Sequence, residues 1–199
     1  MANRMGELVD AILALEQDLE RELEQKQSEF RYRLEKRRAI FEQEMLHSQR
    51  QLKLGLFQLL RKTKLRTLLS TPFIYGLALP LVMVDLAVTL YQRVCFLLWG
   101  IAPVRRSDYW VMDRGQLAYL NLIEKVNCVY CSYANGLAAY IREVASRTEQ
   151  FWCPIKHASR VHHPHSRYWH FSDFGDAAGY RTQLQHFRSQ LREMADKQP

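Results

Sequence analysis

Four cysteines in 199 residues are too few to staple a disulfide scaffold. Three of them cluster near histidines, which favours a reduced setting with metal-binding or thiol chemistry. The sequence holds no glycine-rich phosphate loop, no Gly-x-Ser-x-Gly elbow and no His-Glu-x-x-His helix. Their absence counts against the enzyme classes built on them, and the reading leans away from an enzyme. The first residues, MANRMGELVD, carry acids where a secretory signal needs a basic region, and no small-residue cleavage site follows, so no such leader is expected. Between Gly6 and Gly55 there is neither glycine nor proline, so nothing in that stretch punctuates a helix.

What fills the stretch is Glu, Gln, Leu and Arg, all good helix formers. Leu8, Leu19, Phe30, Phe41 and Leu52 recur at eleven-residue intervals, and so do Ile12, Leu23, Leu34, Met45 and Leu56. Eleven residues in three turns keep a stripe nearly straight, with a weak right-handed drift. Two apolar positions in eleven make a stripe too narrow for a core helix. The expectation is a long stalk helix over residues 1–68 that forms a homo-oligomer along this stripe. Charge is segregated too: residues 1–25 carry two basic and seven acidic side chains, residues 26–66 carry twelve basic and four acidic, and residues 47–66 carry six basic and no acid. A basic block beside an apolar run suits the anionic face of a membrane. Nucleic acid ranks below membrane lipid as a partner, because the block lacks interleaved stacking aromatics.

The apolar run is FIYGLALPLVMVDLAVTLY, Phe73 to Tyr91, with one charge at Asp85. Thr71-Pro72 reads as its helix start. A second run, VCFLLWGIAPV, follows Arg93, so residues 71–104 are expected to be membrane-associated. Nineteen residues can span a hydrocarbon core, whereas two full spans need roughly 40. Three geometries compete: one span, a shallow hairpin kinked at Pro80, and a buried soluble helix pair. The positive-inside rule puts the stalk on the cytoplasmic side and leaves the other side open. Asp85 is a functional candidate by its setting.

Residues 105–199 read as a helical module carrying Cys128-x-x-Cys131, Cys153-x-x-x-His157 and then His162, His163 and His165. Two cysteines one turn apart plus a third cysteine and a histidine match the donor set of a structural zinc, so Cys128, Cys131, Cys153 and His157 are the candidate ligands, with His162, His163 and His165 as alternatives. A straight helix from Leu137 to Phe151, about 22 Å long, would hold Cys131 and Cys153 apart. Zinc therefore requires a bend or a reversal at Asn135-Gly136, a fold-back of the histidine segment, or ligands shared between protomers. Cys128 and Cys131 near a helix start could instead act as a thiol–disulfide pair. Cys95 reads as core or lipid-facing. Glu143 and Glu149 read as solvent-facing. A last helix contains Tyr180, Leu184, Phe187, Leu191 and Met194, with Asp173 or Asp176 placed to cap it.

Together these readings give a mainly α chain. The favoured function is a membrane-anchored oligomeric scaffold or adaptor with a zinc-stabilised module. The alternative is a membrane-associated metal-dependent or thiol-redox enzyme.

Overall fold

The computed structural model describes residues 2–35 and 38–196. It is mainly helical and forms two units, Met1–Lys62 with Asp113–Cys128, and Thr63–Met112 with Val129–Pro199.

In the first unit, α1 (Ala2–Glu29) ends as Arg31 turns into the left-handed region at φ 48°. Strands β1 (Tyr32–Glu35) and β2 (Arg38–Phe41) then pair antiparallel, with Tyr32 opposite Phe41 and their rings 5.3 Å apart. Helices α2 (Gln43–Gln51) and α3 (Leu56–Lys62) follow. Two glutamines tie the returning segment to this group. The Gln116 side-chain oxygen accepts from the Ala39 amide at 2.6 Å, and that of Gln49 accepts from the Ala118 amide at 3.1 Å.

The single stalk helix expected over residues 1–68 is thus replaced by α1, a hairpin and two short helices. A continued helix would set Arg33 one turn from Lys36 and Arg37, a like-charge stack. Its narrow stripe would bury little within its own chain. The hairpin instead gains an aromatic cross-strand pair and a side-chain acceptor for a strand amide. Of the eleven-residue stripe, the side chains of Leu8 and Ile12 lie outside the described residues, while Leu19 and Leu23 on α1 are exposed, as is Leu15 beside them.

The second unit is built on an apolar helix. Helix α4 (Leu65–Gly76) begins six residues before the expected Thr71-Pro72 start and carries Pro72 inside it. Helix α5 (Ala78–Trp99) has Pro80 in its first turn, where a missing amide costs nothing. No hairpin forms at Pro80; the second apolar run is divided, with residues 94–99 completing the last turns of α5 and the remainder leaving it. The helix stops at Gly100, φ 66°, with the Gly100 amide on the Leu97 carbonyl at 3.2 Å and the Ile101 amide on that of Phe96 at 3.0 Å. This is a glycine stop of the Schellman type.

Helix α6 (Leu122–Trp152) opens with a reciprocal cap: Asn121 Oδ1 accepts from the Glu124 amide at 3.0 Å, and Glu124 Oε2 from the Asn121 amide at 2.8 Å. Its later part runs in the same direction as α5. The Tyr133 hydroxyl reaches Asp85, the Tyr91 hydroxyl meets Thr148, and Trp99 stacks on Phe151. A strap, residues 100–112, returns through the space that these large side chains bridge. Gln92 holds it with two bonds to the backbone of Val104, and Arg147 donates to the Ala102 carbonyl at 2.7 Å. Phe96, Ile101, Val104, Leu137, Tyr140 and Val144 form the core around it. Helix α7 (Ala177–Asp196) adds Leu191, and Asp176 caps it through the Gly179 amide at 2.8 Å.

Asn135-Gly136 does not reverse the chain. Asn135 donates its side-chain amide to the Cys131 carbonyl one turn back and stays helical. Gly136 serves packing: a Cβ there would stand 2.7 Å from the Tyr109 carbonyl oxygen and 3.4 Å from the Trp110 ring. Gly136→Ala therefore pushes the strap off α6. We expect a loss of about 1–2 kcal/mol in thermal or denaturant unfolding, despite alanine's better helix propensity.

Candidate functional site

Helices α4 and α5 together, Leu65–Trp99, are long and apolar enough to cross a membrane, and 6% of the apolar window is buried. Phe73, Leu79, Met83, Leu86, Leu90, Leu97 and Leu98 all face outward, with Phe73 83% and Leu97 80% exposed. The inward face carries Asp85, Gln92 and Phe96, the buried residues of α5. A water-soluble surface helix turns its apolar stripe in and its charges out. This helix does the reverse.

The Asp85 carboxylate, 6% exposed, is the centre of the polar arrangement. Arg106 from the strap donates to Oδ2 at 2.7 Å, the Tyr133 hydroxyl donates to the same oxygen at 2.9 Å, and the Thr89 hydroxyl reaches Oδ1 at 3.4 Å. Arg106 also donates to Thr89 at 3.2 Å, and its guanidinium lies 4.7 Å from the Trp110 ring centre. Burial raises the Tyr133 pKa, and its hydrogen bond to the Asp85 carboxylate raises it further, so the phenol stays a donor. Nearer the start of the segment, the Tyr130 hydroxyl donates to the Ile74 carbonyl at 2.7 Å, in the last turn of α4. A polar backbone group at a helix break thereby acquires a partner from α6, as an apolar solvent would require.

A second ionic group joins α6 to the strap and to the loop beyond. Glu143 accepts from Arg147 at 2.9 Å and from Arg167 at 2.8 Å, and Arg167 also donates to Ser146 at 2.9 Å. Burial alone would raise the Glu143 carboxyl, but the hydrogen bonds from Arg167 and Arg147 outweigh it and hold its pKa below the ordinary value. Glu149 pairs with His165 Nε2 at 2.8 Å. Both glutamates, expected to face solvent, are structural. The missed signal was helical spacing: Glu143, Ser146, Arg147 and Gln150 lie on the buried side of α6 with Tyr140, Val144 and Phe151.

The expected zinc ligands are not brought together within one chain. Cys131 and Cys153 are separated by 22 residues of sequence, about 33 Å along an unbroken helix. Cys128 lies on α6 one turn before Cys131. Among the described residues no group of three His, Cys, Asp or Glu side chains is close enough to hold a metal ion. His157, His162 and His163 line an open cleft of ≈ 560 Å³ with Lys156 and Arg160, while His165 turns away to Glu149. Cys128 stands more than a turn inside α6, past the first turn where a helix terminus acts on a charge. All four cysteines are free thiols, Cys131 and Cys153 are exposed, and Cys95 packs against the core. Burial, then the nearby Glu149 charge, pushes the Cys153 thiol pKa up, the opposite of an activated nucleophile.

Compared with protein-family models, with curated proteins and with solved structures, the chain matches none.

Two predictions follow from the polar groups. Asp85→Asn and Arg106→Gln should each lower thermal stability in detergent by about 1–2 kcal/mol, and a double-mutant cycle should return a coupling of about 1 kcal/mol, because Arg106 is partly solvated. Glu143→Gln tests the second group. A carboxyl with a lowered folded pKa contributes stability that is full above its unfolded value and is lost as pH falls through the folded value. The variant should therefore be less stable at pH 7 and should show a flatter acid limb in melting temperature below pH 4.5, the ordinary value for glutamate.

Proposed function

We propose that this chain is a membrane-anchored scaffold whose α4–α5 segment lies in lipid and whose α6–α7 module folds against the inner side of that segment. The observation that carries the reading is the reversed polarity of α5: exposed Leu79, Met83, Leu86 and Leu90 outside, and buried Asp85 and Gln92 inside. Water penalises that arrangement at every exposed leucine, and hydrocarbon favours it. The six basic residues at 47–66 adjoin the start of the segment in sequence, which favours the anionic cytoplasmic surface for the N-terminal side.

The scaffold role rests on α1. Its exposed Leu15, Leu19 and Leu23 offer an apolar row with four-residue steps, which a second copy of the helix would cover. The module has a packed core and two ionic groups to hold it.

Flotation with phosphatidylcholine vesicles followed by carbonate extraction tests the anchor. The full-length chain should stay with the lipid. A Leu79→Asn, Leu86→Asn, Leu90→Asn variant should keep its helical circular dichroism and move to the soluble fraction. Release of the unmodified chain by carbonate would overturn the anchor. In neutral detergent the extracted chain should sediment as an oligomer, reduced to one copy by Leu15→Lys with Leu19→Lys.

A further inference from the structure

We infer that the cleft between the C-terminal half of α5 and the strap binds the phosphate headgroup of an anionic phospholipid. The inference rests on the membrane reading above and assigns that anchor a specific lipid.

The cleft measures ≈ 520 Å³ and opens beside Leu97, on the outward face of α5. Its cations are Arg93 and Arg106, and no acidic side chain lines it. Arg106 spends part of its guanidinium on Asp85 and Thr89, and its side chain is still 44% exposed. Arg93 is exposed and makes no ion pair among the described residues. A guanidinium presents a planar fork of donors that matches phosphate oxygens.

A second, independent observation comes from Tyr140, which also lines the cleft. The residue is fully buried, yet its hydroxyl has no hydrogen-bond partner among the described residues. Buried hydroxyls are nearly always paired, and an orphan at a cleft signals a missing partner. A phosphate oxygen held between the arginines would accept that proton. The other buried side-chain atoms without a partner among the described residues, His165 Nδ1 and Ser172 Oγ, do not line this cleft.

The rest of the wall is apolar, Phe96, Leu97 and Pro103 among it. Inorganic phosphate gains nothing from such a wall. A lipid does, since its glycerol and first methylenes would lie along the exposed apolar face of α5, which runs from Arg93 back past Leu90 and Leu86. Arginine beside an apolar surface behaves in the same way, with its stem along the hydrocarbon and its charge at the headgroup level. The geometry thus fits one amphiphilic ligand with a single phosphate.

The test titrates the full-length protein, in a neutral maltoside detergent, with dioctanoyl phosphatidic acid, dioctanoyl phosphatidylcholine and inorganic phosphate, reading the melting temperature. Phosphatidic acid should give a saturable rise that the other two do not. Arg93→Gln should weaken its apparent affinity about tenfold, with Arg93→Lys recovering part of the loss. Tyr140→Phe should also weaken it, while leaving the melting temperature without lipid unchanged or higher, because the hydroxyl has no partner to lose. Equal responses to phosphate and phosphatidic acid would overturn the lipid assignment. An effect of Arg93→Gln without one of Tyr140→Phe would place the phosphate on the surface and overturn the cleft. Carbonate-resistant membrane retention with no phosphatidic acid response overturns this site and leaves the anchor standing. A saturable response from a chain that carbonate extracts supports the cleft and removes the anchor.

Discussion

A carboxylate on an apolar helix must find its hydrogen-bond donors within the protein, and in this chain that requirement organises the second unit. Asp85 draws Arg106 from the strap and Tyr133 from α6 to one oxygen, at 2.7 and 2.9 Å. Serving that carboxylate brings the strap back along α5. Gln92, two turns further on, repeats the device with the backbone of Val104. The strap carries Ile101 and Val104 into the core and presses the Tyr109 carbonyl against Gly136. With both polar side chains of the inner face engaged, the outer face of α5 is free to be apolar from Leu79 to Leu90, with Arg93 as its one exposed charge. Burying an ion pair is seldom a net gain in stability over an apolar substitute. Its value here is direction, because it decides which side of the helix meets protein.

How much of this was legible beforehand depended on whether the signal was local. The apolar segment, the mainly helical content and the cap at Asp176 are written in runs and spacings a few residues long. The break of the stalk was not, since the eleven-residue stripe satisfies a helix as well as its surroundings do. What decides against the helix is partly distant: Gln116, far along the chain, supplies an acceptor to the Ala39 amide. Asn135-Gly136 has the composition of a turn, yet the glycine answers a close approach by Tyr109 that no local pattern reveals. Glu143 looked like a surface charge because its arginine partners are divided between its own helix and a loop 24 residues away.

The Cys/His set teaches the same lesson from the other side. Donor type and short-range spacing suited zinc, and a continuous α6 set the donors apart. Ligand spacing carries geometry within one turn of helix or across a loop. Across 22 helical residues it measures length. The histidines then divide by role, with His165 paired to Glu149 and His157, His162 and His163 along an open, basic cleft.

The central claim is that the outer face of α5 is solvated by acyl chains while its inner face is solvated by protein. Photolabelling of the full-length chain in vesicles with a diazirine placed on the lipid acyl chain, followed by peptide mapping, tests it most directly. The account predicts carbene adducts at Leu79, Met83, Leu86, Leu90 and Leu97 and none at Leu81, Asp85, Val88 or Gln92. Adducts spread over both faces, or absent from the whole helix, would contradict it.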